Sequence, residues 1–322
     1  MSLRYDPEWF ALAGPKLETQ SEVLPIHDIA TRRSRYAQLF VRSTYAPPAD
    51  INIDTFKTPA SDGHEVVVYR VSKKTETETA YSSRTPAVLH IHGGGFISVH
   101  AKDVLPSLVP YVRESGIPIF SVDYRWAPEN PFPTPVEDCW SGLLFLHSRS
   151  EELGIDVSRI AVMGESAGGG LAAGLALLAR DRNLSPALAK QILIYPMLDD
   201  RTITDRSGGL AVFSINDVIT GWAAYIGEAM GTDNVSPIAA PARVGHVAGL
   251  PSLYLDVGQL DLFLGEDVAY ARKFLEAHIQ TELHVYPGVI HAFQRWAPTS
   301  QVVKQVFVNR LRAITTIEAP EG

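Results

Sequence analysis

From residue 85 onward, short apolar runs recur between segments of helical length. The runs AVLHIH (87–92), IPIFSVD (117–123), RIAVMG (159–164), QILIYP (191–196), SLYLDVG (252–258) and ELHVYP (282–287) are each bounded by turn residues. Helix-length segments separate most of them, at 102–115, 136–150, 167–181 and 265–279, and another follows the last run at 299–317. Near-continuous apolar strands alternating with helices predict an α/β fold, a mostly parallel sheet covered on both faces. Ahead of it, INIDTFK (51–57) and EVVVYRV (65–71) predict two more strands. The Pro, Asp and Gly of the intervening TPASDGH predict that they pair as an antiparallel hairpin.

Two pieces break the alternation. The stretch 197–251 is too long for one crossover and contains AVFSINDVITGWAAYIGEAM, which predicts a helical insertion. The first 45 residues, with apolar IATRRSRYAQLF, predict helix before the first strand. Both pieces are natural lids over the sheet. The expected organisation is one domain over 1–322, with cap elements at approximately 1–45 and 200–235. The polar SKKTETETAYSSR (72–84) reads as an exposed loop.

Composition narrows the function classes. Apolar residues make up 46% and charged residues 20%, an ordinary globular balance. The net charge of −8 weighs against a nucleic-acid partner, which needs a basic face. Cys139 is the single cysteine, so no intrachain disulfide and no Cys-based metal site can form. Its setting, EDCWSGLLFL, predicts core packing. The amino terminus lacks the charged and apolar regions of a secretory signal, and no segment reaches the roughly 18 apolar residues of a membrane span. A cytoplasmic location with no membrane span is the expectation.

The chemistry concentrates at carboxyl ends of strands, where open α/β sheets bind ligands. In RIAVMGESAGGGLAAGLALLAR, a strand, a sharp turn and a small-residue helix place Ser166 between Gly164 and Gly168. This is G-x-S-x-G in the context of a nucleophile elbow. A side chain at either glycine would clash across the turn, and the Ala167 amide at the helix start can stabilise an anion. The bland alternative is a glycine-rich helix start with a capping serine. A phosphate loop is disfavoured, because no G-K-[ST] follows. HIHGGGF (90–96) follows the strand AVLHI. There Gly93, Gly94 and Gly95 let backbone amides approach a developing oxyanion, and His92 is expected to hold the loop.

These motifs, with DYRWAPENPFPTPVEDC (123–139), YPMLDD (195–200), SPIAAP (236–241), DVGQLD (256–261) and GVIHAF (288–293), resemble the hormone-sensitive-lipase-like branch of the α/β-hydrolases. The resemblance runs from about residue 86 to 296. It implies a carboxylesterase fold with an α-helical cap, hydrolysis of small-molecule acyl esters without a cofactor, and oxyanion donors at Gly94, Gly95 and Ala167. A homodimer through ELHVYP and the last helix is a further expectation, as in many relatives.

The family's chain order, Ser then acid then His, selects Asp261 after SLYLDVG and His291 after ELHVYP. The acid motif departs from the family's D-P-L-x-D-E. DLFLGED (261–267) lacks the proline and has Gly265 at the second acid, so Glu266 and Asp267 stand as alternative acids. Glu165 is expected to hydrogen-bond within its turn. Asp123, Arg125 and Glu129 are expected to form one buried network under the oxyanion loop. Asp199 and Asp200 read as structural rather than metal-binding. Candidate pocket walls are Trp9, Phe10, Phe213, Trp222 and Tyr225. The chemistry expected is hydrolysis of short-to-medium acyl or aryl esters. An amidase or lactonase on the same site, or a non-catalytic receptor, are the alternatives, and the presence of a base histidine weighs against the receptor.

Overall fold

The computed structural model describes residues 3–18, 22–40, 45–74, 84–211 and 213–320. Most of the polar 72–84 stretch lies outside the described residues. Helices α1 (Pro7–Leu17) and α2 (Ile29–Phe40) precede the hairpin of β1 (Ile51–Pro59) and β2 (Glu65–Lys73). The alternating part then runs β3 (Thr85–Ile91), α3 (Ala101–Ser115), β4 (Ile119–Asp123), α4 (Thr134–Ser148), the short α5 (Ser150–Leu153), β5 (Ile155–Glu165), α6 (Ala167–Asp181) and β6 (Lys190–Ile194). After the insertion helix α7 (Ile215–Ile226) come β7 (Ser252–Gly258), α8 (Leu264–Glu276), β8 (Thr281–Tyr286) and α9 (Gln301–Thr315).

The eight strands form one sheet in the order β1-β2-β4-β3-β5-β6-β7-β8. The β1–β2 and β2–β4 pairs are antiparallel and the other five are parallel. Helix α3 packs with α9 on one face, and α4 with α6 on the other. Sandwiched between helices, the central strands bury side chains on both faces, which is why β3 and β7 read as unbroken apolar runs. β8 is a sheet edge, and Val285 on it stays 43% exposed.

Helix α6 is buried almost throughout, and its small residues are what permit this. A Cβ on Gly174 would stand 2.2 Å from the Ile238 carbonyl oxygen. Cys139 is buried in the core, as expected. Helix α7 opens on a capping box. The Ser214 hydroxyl accepts from the Asp217 amide, and the Asp217 carboxylate accepts from the Ser214 amide. Helix α2 is tied to α7 by an Arg32–Asp217 ion pair of 2.8 Å, and the turn before it by the His27 amide donating to Thr220 Oγ1. Among the described residues no helix is long and apolar enough to cross a membrane.

Candidate active site

β5 ends at Glu165 and α6 begins at Ala167, leaving Ser166 alone in the turn at φ 55°, ψ −123°. This left-handed backbone costs a non-glycine residue on the order of 1–3 kcal/mol, so the surroundings must enforce it. The Ser166 amide donates to the Ile194 carbonyl, and its own carbonyl accepts from the Gly170 and Met197 amides. A Cβ on Gly164 would lie 2.2 Å from the Gly168 carbonyl oxygen, and one on Gly168 would lie 2.1 Å from that of Ile91. A Cβ on Gly169 would lie 2.8 Å from Pro196 Cβ, and one on Gly170 would lie 2.2 Å from the Met197 carbonyl oxygen. Ser166 makes no side-chain cap bond to its helix. Its Oγ instead lies 2.9 Å from His291 Nε2.

The acid and the imidazole arrive on two loops that interlock. A Cβ on Gly258, at the end of β7, would stand 2.4 Å from the Val289 carbonyl oxygen, and the Leu260 amide donates to that same carbonyl. Asp261 Oδ2 lies 2.7 Å from His291 Nδ1, while Oδ1 accepts from the Phe263 amide. A carboxylate only accepts, so Nδ1 carries the proton and Nε2 accepts from Ser166. All three side chains are nearly buried, with residue exposures of 8% for Ser166, 4% for Asp261 and 9% for His291. Three aromatic rings surround the imidazole. Phe213 stacks on it at 5.0 Å, and Phe263 and Tyr195 meet it edge-on at 5.2 and 4.7 Å. Helix α1 braces the loop from outside, through the Asp6 amide on Gly288 and Trp9 Nε1 on the Phe293 carbonyl.

Glu266 and Asp267, the alternative acids, do not reach the imidazole. Glu266 accepts from the Leu198 and Asp199 amides and from Thr202 Oγ1, and burial pushes its carboxyl up to about 8. Asp267 is fully buried, with neither carboxyl oxygen hydrogen-bonded among the described residues. Burial, with the charges of Glu266, Asp261 and Asp256, holds its carboxyl well above the usual range.

The glycine loop lies against the elbow, since a Cβ on Gly93 would stand 2.9 Å from the Glu165 carbonyl oxygen and 3.4 Å from Ser166 Cβ. Gly94 and Gly95 have φ of +123° and +62°, and a Cβ on Gly94 would be 2.1 Å from the Ser98 carbonyl oxygen. Because each peptide unit is planar and trans, holding one carbonyl aims the following N–H the opposite way. His92 Nδ1 donates to the Gly93 carbonyl at 2.8 Å, which orients the Gly94 amide. The Ile97 amide and Ser98 Oγ donate to the Gly94 carbonyl, which orients the Gly95 amide. Among the described residues, no group accepts from the amides of Gly94, Gly95 or Ala167. Burial pushes His92 down to about 4, so it is neutral, and it stacks on Tyr124 at 4.3 Å.

Several supporting residues differ from expectation. Glu165 reaches outside its turn to His90 Nε2 at 2.8 Å, with His90 Nδ1 in turn on Ser121 Oγ. Asp123, Arg125 and Glu129 form three separate contacts instead of one network. Asp123 pairs with His100 and the Ala101 amide, Arg125 with Asp138 and Asp62, and the exposed Glu129 with Arg33. Asp199 and Asp200 pair with Arg201 and Arg243. Of the candidate pocket walls, only Phe213 touches the imidazole. Trp9 is buried under the His291 loop, Phe10 is 42% exposed against Tyr5, and Trp222 and Tyr225 pack around Phe96. Phe263 and Tyr195 lie outside the segments expected to form a lid, so the sequence pattern does not single them out. Phe263 stands two residues after Asp261, and that proximity was the available signal. Among the described residues no group of three or more His, Cys, Asp or Glu is arranged to hold a metal ion.

Comparison with known proteins identifies the family. A family model described as alpha/beta hydrolase fold matches residues 88–295. The chain is 32% identical over 289 residues to an ethyl acetate hydrolase of Pseudomonas putida, covering 85% of this chain and 86% of that protein. It is 28% identical over 294 residues to the carboxylesterase NlhH of Mycobacterium tuberculosis, covering 88% and 89%. Among solved structures, a bacterial heroin esterase superposes with a TM-score of 0.85 at 36% identity, covering 97% of each chain. With the elbow, the glycine loop and the order of strands and helices all accounted for, this chain belongs to the α/β-hydrolase family, in its hormone-sensitive-lipase-like carboxylesterase branch.

Proposed function

We propose that this carboxylic ester hydrolase cleaves short-to-medium acyl and aryl esters through Ser166, His291 and Asp261. The observation that carries the reading is the continuous hydrogen-bonded line from Ser166 Oγ through the imidazole to Asp261, beside amides with no acceptor among the described residues. His291 Nε2 takes the Oγ proton as Oγ bonds to the ester carbonyl carbon. The amides of Gly94, Gly95 and Ala167 receive the oxyanion, and removing one such donor costs roughly 3–4 kcal/mol of transition-state stabilisation. The imidazolium protonates the departing alkoxide, and a water deprotonated by His291 then cleaves the acyl-enzyme to the acid and free Ser166. The reading treats 1–322 as a single domain whose caps are approximately 1–45 and 200–235. Labelling with a fluorophosphonate tests it. Native protein should label and Ser166→Ala should not; a folded native protein that stays unlabelled refutes the reading.

The acyl preference follows from the walls. Phe213 closes directly over the imidazole, and the triad is nearly buried. A site narrowed this way favours small acyl groups. The ethyl acetate named for the Pseudomonas putida relative is of that kind. For p-nitrophenyl esters, kcat/KM is expected to fall roughly tenfold or more from butanoyl to dodecanoyl. A profile that rises toward dodecanoyl would exclude the short-acyl assignment.

A further inference from the structure

Two helices outside the sheet both grip the glycine loop. Arg33 on α2 donates from Nε to the Ile97 carbonyl at 2.7 Å and from Nη2 to the Ala127 carbonyl at 3.0 Å. Nη1 and Nη2 also hold Glu129 at 2.8 and 2.6 Å, and the guanidinium lies 5.4 Å from the Trp126 ring centroid. The two carbonyls belong to segments that are themselves joined, since the Ala127 amide donates to the Phe96 carbonyl. The residue Arg33 grips, Ile97, is the one whose amide holds the Gly94 carbonyl and so aims the Gly95 N–H. From the other side of the sequence, α7 touches the same loop. A Cβ on Gly221 would stand 2.8 Å from the Gly95 carbonyl oxygen, and Phe96 stacks on Tyr225 at 4.3 Å.

We infer that Arg33 is a positioning residue of this esterase, a clamp by which the cap helices set the aim of the oxyanion-binding amides. The inference rests on the proposed role of Gly94 and Gly95. Its physical basis is geometric. Three guanidinium nitrogens in a rigid plane fix two carbonyls and a carboxylate at once, which a lysine ammonium on a flexible stem cannot reproduce. The grip is far from idle, because an oxyanion hole acts only when its donors are preorganised. Helix α2 is locked to α7 through Arg32 and Asp217, so the two contacts on the loop belong to one connected unit.

The test compares the full-length protein with Arg33→Gln, Arg33→Lys, Arg33→Ala and Gly221→Ala. The readouts are kcat and KM on p-nitrophenyl butanoate, Ki for an aryl trifluoromethyl ketone, and Tm. The ketone forms a tetrahedral adduct whose oxygen occupies the oxyanion position. Arg33→Gln should lower kcat by about 10–100-fold with KM within about threefold, and raise the ketone Ki by a similar factor. Arg33→Lys should recover little of this, and added guanidinium ion should partly restore kcat in Arg33→Ala. Gly221→Ala, a change its helix backbone accepts, should show the same split because its methyl displaces the Gly95 carbonyl. A folded Arg33→Gln with kcat and ketone Ki within twofold of the native protein overturns the clamp, as does a loss of kcat with unchanged Ki. If Arg33→Gln does not fold, Arg33→Lys decides by the same two criteria. Gly95→Ala separates the layers. If it weakens the ketone while the clamp variants do not, only the clamp fails. If it leaves the ketone Ki unchanged, the oxyanion assignment itself fails.

Discussion

Ser166→Ala is expected to lower kcat/KM on p-nitrophenyl butanoate by about 10⁵–10⁶-fold, the loss known for deleting a triad nucleophile. Tm should move by no more than a few degrees. Both halves follow from the same contacts. Among the described residues the only hydrogen bond of Oγ is to His291, and it makes none to the helix it precedes. The strained backbone is held by the Ser166 amide and carbonyl, which alanine retains, and alanine at φ 55° carries the same Cβ as serine. A competitive, non-covalent product analogue should therefore bind within a few-fold of the native protein. A folded variant that keeps more than a hundredth of the native rate would remove Ser166 from the reaction.

The second large effect separates three carboxylates. Asp261→Asn should cost about 10⁴ in kcat. An amide nitrogen facing Nδ1 turns the imidazole to the other tautomer, and a protonated Nε2 cannot accept from Ser166. Glu266→Gln should behave differently. That carboxyl accepts from two amides and a hydroxyl beside β6, so its loss should appear in stability, on the order of 1–3 kcal/mol, with kcat reduced less than tenfold. Asp267→Asn should change little, because burial raises that carboxyl well above its ordinary value, it has no hydrogen-bond partner among the described residues, and the amide nearly matches it in shape. Kinetics and thermal melts on the three variants check this directly. A kcat loss in Glu266→Gln or Asp267→Asn equal to that of Asp261→Asn would reassign the acid.

Much of this fold is legible in the sequence. The central strands fall where near-continuous apolar runs meet turn residues, because burial on both faces favours apolar side chains at most of their positions. The elbow was legible for a local reason too. Glycines at 164 and 168 can be read as steric necessities, and the contacts of 2.2 and 2.1 Å show what they avoid. His92 was readable as a loop support because it adjoins the peptide it orients.

What escaped the sequence is non-local. Glu165 could be expected to bond within its own turn, yet its partner is a strand neighbour, His90, placed there by the β3–β5 register. Asp123, Arg125 and Glu129 are close in the chain but point to His100, Asp138 and Arg33, on three different helices or their starts. Trp9 and Phe10 are adjacent, and only packing separates the buried ring under the His291 loop from the exposed one.

The sequence by itself determined the strand-and-helix order, the turn that displays Ser166 and the glycines that let the neighbouring loop pack against it. Those are properties of backbone sterics and hydrophobic period, which act over a few residues. The tertiary structure alone decided which carboxylate meets His291, which aromatic rings enclose it and that Arg33 reaches the glycine loop from 64 residues away. Those outcomes depend on how strands register and loops interlock, and a side chain's partner across the fold leaves no mark in its sequence neighbours.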